Sequence, residues 1–202
     1  QSKVYGQVNP VLTRMYSGFL NGDDASNVDT EPTISTTATQ FSDVGLYPIT
    51  FAGGADNNYN FNFTTGNFTI TKAVATVSIS NLNQNFDGNP KAVTTVTNPI
   101  GLSVLVTYNG SSQAPTTPGT YAVIASIDDS NYEGSNSGTL MINGPPTSSG
   151  IPDVNVLEDA NNTVLNLHDY FSDVEDADVD LTFNIESNSN ATLFTEVQLN
   201  DN

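Results

Sequence analysis

Apolar and polar residues alternate along much of this chain. In Val74-Ala-Thr-Val-Ser-Ile-Ser80 the apolar side chains recur at every second position, the period of a strand with one face on a core. Leu102–Tyr108, Tyr121–Ile127 and Thr139–Ile142 read the same way, as do Leu46–Phe51, Phe61–Thr64 and Phe68–Ile70 nearer the start. Beyond residue 150, Ile151–Val156, Thr163–Leu167 and Leu181–Ile185 are further expected strands. No useful stretch has apolar residues at helical spacing. The turn pairs Asn21-Gly22, Gly53-Gly54, Asp87-Gly88, Asn109-Gly110 and Pro118-Gly119 punctuate the strands. Many short strands at this spacing predict an all-β fold of tandem Ig-like antiparallel β-sandwich modules, strung as an elongated rod.

The pattern repeats. Gly45-Leu-Tyr47, Asn58-Tyr59 and Gly66-Asn-Phe-Thr-Ile70 return as Gly119-Thr-Tyr121, Asn131-Tyr132 and Gly138-Thr-Leu-Met-Ile142, at offsets of 74, 73 and 72 residues. An aromatic-glycine-proline element opens each copy, Tyr5-Gly6 with Pro10 and Phe86-Asp-Gly88 with Pro90. The middles differ in length, so the later half of each copy carries the clearer repeat. Gly-x-Tyr predicts a turn of positive φ, then an aromatic anchor for the strand pair. Asn-Tyr is expected to start the next strand of the hairpin.

These landmarks give a first β module over 1–73 and a second over 74–143. The link Thr71-Lys-Ala73 is so short that it should limit bending between them. Gly144-Pro-Pro-Thr-Ser-Ser-Gly150 is a stiffer linker. Residues 151–202 then offer four or five strands, too few for a sandwich of about 100 residues, and read as a partial module.

Composition sharpens the picture. Asn, Ser and Thr supply 70 of the 202 residues. That composition allows disorder, which the apolar alternation argues against. Four Lys and Arg stand against 22 Asp and Glu, a net charge of −18. Four cations cannot neutralise a run of phosphates, so nucleic acid is excluded as a partner and an anionic membrane surface is disfavoured. No apolar run approaches the length of a membrane span. With no Cys and one His, thiolate and multi-His metal sites are excluded. No signal peptide is visible, and the missing initiator Met suggests a processed chain or a fragment.

Enzymatic readings are weak. His168 has Asp169 beside it but no Gly-x-Ser-x-Gly elbow anywhere. The carboxylates cluster in one loop and do not flank a cleft as a glycosidase pair would. That loop is the best candidate site. Asp173, Glu175, Asp176, Asp178 and Asp180 fall within eight residues, and Glu158 could approach from a neighbouring strand. Alternating hard oxygens suit Ca2+, although the EF-hand pattern is absent. The plainer reading is a solvated acidic loop. Asp23-Asp24 and Asp128-Asp129 read as turn residues. Tyr5, Tyr16, Tyr59, Phe86, Tyr108 and Tyr132 could stack on sugar rings, but matched positions in the two copies favour core anchors.

Residues 1–73 resemble the MBG repeats of bacterial surface proteins, through Tyr5-Gly6, Pro10, Tyr16 to Gly22, Pro32-Thr33, Gly45 to Ile49, Asn58 to Phe61 and Gly66 to Lys72. Residues 74–143 resemble a related MBG/YDG-type module, through Phe86-Asp-Gly88, Tyr108-Asn-Gly110 and the stretch from Gly119 to Ile142. Residues 145–202 are similar to the opening of a cadherin-like Ig module, with Phe171-Ser-Asp173-Val-Glu-Asp176. The resemblance implies an extracellular, cell-surface stalk segment of a large adhesin, such as a gliding-motility adhesin exported by type IX secretion. It brings no catalytic residue. The partners it implies are neighbouring modules of the same chain, with any glycan or protein ligand elsewhere and the secretion machinery on the way out. The alternatives are a carbohydrate-binding module and an accessory segment of a secreted hydrolase.

Overall fold

A computed structural model describes residues 1–155, 161 and 163–187. The strands of the first repeat are β1 (Ser2–Val4), β2 (Thr33–Thr36), β3 (Gly45–Ala52) and β4 (Gly66–Thr71). The second repeat has β5 (Ala73–Val74), β6 (Thr76–Ser80), β7 (Asn83–Asn85), β8 (Thr94–Asn98), β9 (Val104–Tyr108), β10 (Gly119–Ile127), β11 (Tyr132–Glu133) and β12 (Ser135–Asn143). A short pair follows, β13 (Thr147–Ser148) and β14 (Phe171–Ser172). Helix among the described residues is limited to three 3-10 turns, Ala25–Asn27, Leu167–Asp169 and Asp178–Asp180. The fold is all-β.

Both repeats build a sheet of one order: first strand, last strand, then the two that precede the last. These are β1-β4-β3-β2 and β7-β12-β10-β9. Lys3 lies opposite Ile70 and Gln84 opposite Ile142, so the repeats share a register. These first-to-last pairs are parallel, where antiparallel neighbours were expected throughout. A parallel neighbour requires a crossover, and the stretches after β1 and β7 provide it.

The chain divides into two compact units that do not follow the repeats. One comprises Gln1–Ile79, Thr95–Val106 and Ile124–Ser137. It holds two separate cores. In the first, Phe68 and Ile70 are fully enclosed with Ile49 and Ala38, and Tyr5, Leu12, Ile34, Val44 and Tyr47 pack around them. Each full burial of such a side chain contributes about 1.5–3 kcal/mol. In the second, Ala75, Val77, Ala125 and Ile127 meet Ile79, Leu102, Val104, Val106 and Tyr132. Lys3 is also buried here. Its ammonium donates to the carbonyls of Gln7 (2.9 Å), Thr39 (2.6 Å) and Gln40 (3.0 Å). These replace lost water, while burial pulls the lysine pKa below its usual value.

The other unit comprises Ser80–Thr94, Thr107–Val123 and Gly138–Asn202. Tyr108, Val123, Leu140 and Ile142 are buried in it. The Tyr108 hydroxyl accepts the Val93 N–H at 3.0 Å. Tyr108 is thus a core anchor, as the repeat suggested.

Some expected strands are absent. Phe61–Thr64 is irregular because β4 begins at Gly66, opposite Ile49, and leaves that segment no backbone partner in the sheet. Its phenylalanines stack on one another instead: Phe63 lies 5.5 Å from Phe51 and 5.9 Å from Phe61, with nearly parallel rings. Residues 151–155 and 181–185 form no strand, and 163–167 run into a 3-10 turn. Strands need hydrogen-bonded neighbours, and past residue 144 the only described ladder is the two-residue pair β13–β14.

Candidate functional site

The repeat signatures build matched local structures. Tyr47 and Tyr121 each reach back with the hydroxyl to the carbonyl four residues upstream, Asp43 at 2.8 Å and Thr117 at 3.0 Å. The ring then lies over the glycine two residues before it. Of the two glycines only Gly119 has a positive φ, +139°, so the expected left-handed turn is not common to both. The shared feature is the tyrosine latch.

Asn58-Tyr59 and Asn131-Tyr132 belong to a longer motif, Asp-x-Asn-Tyr. One Asp56 oxygen accepts the N–H groups of Asn58 (2.8 Å) and Tyr59 (3.0 Å), and Asp129 does the same for Asn131 (2.7 Å) and Tyr132 (3.0 Å). Donation by Asn58 N–H holds the Asp56 carboxyl below the usual carboxylate range. The motif is a turn, with only the short β11 after its second copy. This bears out Asp129 as a turn residue. Asp24 is another, capping the 3-10 turn at Ser26 N–H with 2.8 Å.

Within the first compact unit, the second copy of this turn faces the first repeat. The Asn131 side chain accepts the Val44 N–H at 2.9 Å and donates to Asp43 at 2.8 Å. Its carbonyl accepts the Ala73 N–H at 2.9 Å, and the Asp129 carbonyl accepts Lys72 Nζ at 2.6 Å. β5 and β11 pair in parallel, Ala73 opposite Tyr132 and Val74 opposite Glu133. Tyr5 and Tyr132 meet edge to face with centroids 5.4 Å apart. Gly134 is required here, since a Cβ would lie 2.1 Å from the Ala75 carbonyl oxygen. The one residue between β4 and β5, Lys72, is itself tied down. Side chains, backbone and aromatic rings therefore all fix this junction.

Comparison with known families matches residues 1–69 to the MBG domain (YGX type) and residues 75–145 to the MBG domain. The two repeats are MBG domains. No curated protein and no solved structure matches this chain. The junction just described is thus the seam between two MBG domains. MBG domains are modules of surface proteins, and among the described residues no helix is long and apolar enough to cross a membrane.

The acidic loop beyond the MBG pair repeats the turn motif in the second compact unit. One Asp173 oxygen accepts the N–H groups of Glu175 (2.9 Å) and Asp176 (3.1 Å), which lowers its pKa, Glu175 first. Glu175 occupies the place of Asn131, and it too reaches back: its Oε2 accepts the Gly144 N–H at 3.1 Å. Its Oε1 is buried with no partner among the described residues. Asp178 accepts the Asp173 N–H at 3.2 Å. Asp176 and Asp178 are exposed, and Glu158 lies outside the described residues. Among the described residues no three His, Asp or Glu side chains come together as a metal site. The His168 ring pairs with the Asp178 carbonyl and packs edge to face on Phe183, centroids 5.1 Å apart.

Sequence reasoning missed Asp43, Asp56 and Lys3. Asp56 was legible, because Asp precedes Asn-Tyr by two residues in both repeats, whereas no such motif marks Asp43. Nothing in the sequence marks Lys3 as buried.

Proposed function

We propose that this chain is a stalk segment of a large bacterial cell-surface adhesin, with residues 151–202 opening a cadherin-like Ig module. The observation that carries the reading is the seam at Lys72, where hydrogen bonds, a parallel strand pair and an aromatic contact join one MBG domain to the next. A spacer that holds a distant ligand-binding part away from the cell needs such fixed junctions, and a net charge of −18 keeps it soluble. The family resemblance extends the reading to gliding-motility adhesins exported by type IX secretion. The test has two arms. Antibodies raised against residues 1–145 should label intact cells, and the purified chain should show no saturable binding on a glycan array. Unlabelled cells, or saturable glycan binding, would overturn it.

A carbohydrate-binding role is the second reading. It is favoured by a cleft of about 390 Å3 whose lining includes Asp56, Tyr59, Asn60, Phe61 and Phe63. Array binding lost on Tyr59→Ala would support it. We also propose that Ca2+ draws Asp173, Glu175, Asp176 and Asp178 together, favoured by the Glu175 Oε1 that has no partner among the described residues. Ligand binding at a hundredfold excess over Kd stabilises a fold by about 2.7 kcal/mol. Equal unfolding midpoints in millimolar Ca2+ and in chelator would remove this proposal.

A further inference from the structure

Residues 11–17 have the burial pattern of a strand but are not in one. Val11, Thr13, Met15 and Ser17 are exposed, while Leu12, Arg14 and Tyr16 are half-buried. Val11 is 86% and Met15 96% exposed. Among the described residues no backbone–backbone hydrogen bond reaches residues 8–19. An extended segment with one face inward and an unpaired backbone edge is a template for another strand.

The second repeat shows what fills the equivalent place. Tyr5 N–H bonds to the Thr71 carbonyl at 2.9 Å and Phe86 N–H to the Asn143 carbonyl at 2.8 Å, so Tyr5 and Phe86 are equivalent. Gly6 and Gly88 follow with matching φ of +80° and +81°, then Pro10 and Pro90. The next extended segment is 11–17 in one repeat and β8 in the other. β8 is paired, with β6, the strand that leads into β7. Ser78 Oγ bonds to the Val96 carbonyl and Ser80 Oγ to that of Thr94. By the same equivalence β1 corresponds to β7, and Gln1 to Leu82.

The side chain of Gln1 already marks the vacant ladder. Its Nε2 donates to the Val11 carbonyl at 3.0 Å, and its Oε1 accepts the Thr13 N–H at 3.2 Å. The carbonyl of residue i and the N–H of residue i+2 lie on the same edge of an extended strand, so this one amide occupies two groups that a neighbouring strand would bond. Two independent observations, the repeat equivalence and this amide pair, thus point to the same edge.

We propose that residues 11–17 are an acceptor edge for an extended β-strand of the alternating kind seen in β6. The occupant we assign is polypeptide leading into residue 1, as β6 leads into β7. It carries an apolar residue at every second position, and its backbone bonds to residues 11, 13 and 15. This goes beyond the stalk reading: the first MBG domain is completed by a strand supplied from outside residues 1–202.

The experiment grafts a copy of residues 73–81 directly ahead of Gln1 in the full chain and follows amide hydrogen exchange by NMR. The Thr13 and Met15 amides should slow by about tenfold or more, with those of β4 unchanged. Unchanged rates at Thr13 and Met15 overturn the proposal. So does equal slowing by a graft whose copy carries Val77→Asp and Ile79→Asp. If the grafted chain does not fold, a synthetic peptide of residues 73–81 is added to the unmodified chain. Slowing at the same two amides supports the proposal, and its absence overturns it.

Discussion

Asn131 is the most economical place to open the seam between the two MBG domains. Asn131→Ala removes two side-chain bonds, to Val44 N–H and to Asp43, and leaves the Asn131 carbonyl bond to Ala73 formally intact. A hydrogen bond contributes about 0.5–1.5 kcal/mol net, and an amide left unpaired away from water costs about 1–3 kcal/mol. The Asp43 bond is exposed and belongs near the low end, whereas the part-buried Val44 amide belongs higher. Together the loss is about 2 kcal/mol of local stability, on the order of thirtyfold in the opening equilibrium. The assay is native-state amide exchange at Val44 and Ala73. Val44 should exchange about thirtyfold faster, with Ala73 following as the strand pair frays. Asn58→Ala is the matched control, since Asn58 sits in the same turn of the first repeat and its side chain has no hydrogen bond among the described residues. A double-mutant cycle with Asp43→Ala should give a coupling of about 0.5 kcal/mol or more. A change at Val44 below twofold, or an equal effect from Asn58→Ala, would refute the idea that Asn131 fastens the seam.

Gly134→Ala should be the most damaging single methyl in the seam. The added Cβ would overlap the Ala75 carbonyl, so a loss of about 3 kcal/mol or more is expected in urea unfolding of the full chain. Tyr47→Phe and Tyr121→Phe should each cost about 1 kcal/mol by the same measurement. The Tyr121 change should cost the more, because its hydroxyl also pairs with Thr117 Oγ1 at 2.7 Å. The turn aspartates predict the acid limb of the stability profile. Asp56 has a native pKa below its ordinary 3.8, so its contribution is complete above that value and is lost as pH falls through the native one. Asp56→Asn keeps an acceptor oxygen for the turn, and a profile of Tm against pH should lose that part of its acid slope.

What the sequence determined by itself was local and periodic. Alternation around Val77, Val123, Leu140 and Ile142 fixed strands, because a period of two can bury only one face of an extended chain. Repetition of Gly-x-Tyr and Asn-Tyr located two equivalent MBG domains and the short link Thr71-Lys-Ala73 between them, because turn chemistry is written in a few adjacent residues. The acidic turn at Asp173 was visible as a cluster, though not as a third copy of the Asp129 turn. Tertiary structure alone decided the rest. Phe61–Thr64 alternates as well as any strand yet has no partner, since ladder hydrogen bonds depend on where β4 begins. Lys3 looks like a surface cation, but the carbonyls that enclose it come from residues 7, 39 and 40, two of them far along the chain. The parallel pairing of β1 with β4 joins residues at opposite ends of a domain. The seam joins residues of two different domains, where Asn131 finds Asp43 across 88 positions. Contacts of that separation leave no pattern in a local window, because packing fixes the partner and the intervening sequence does not.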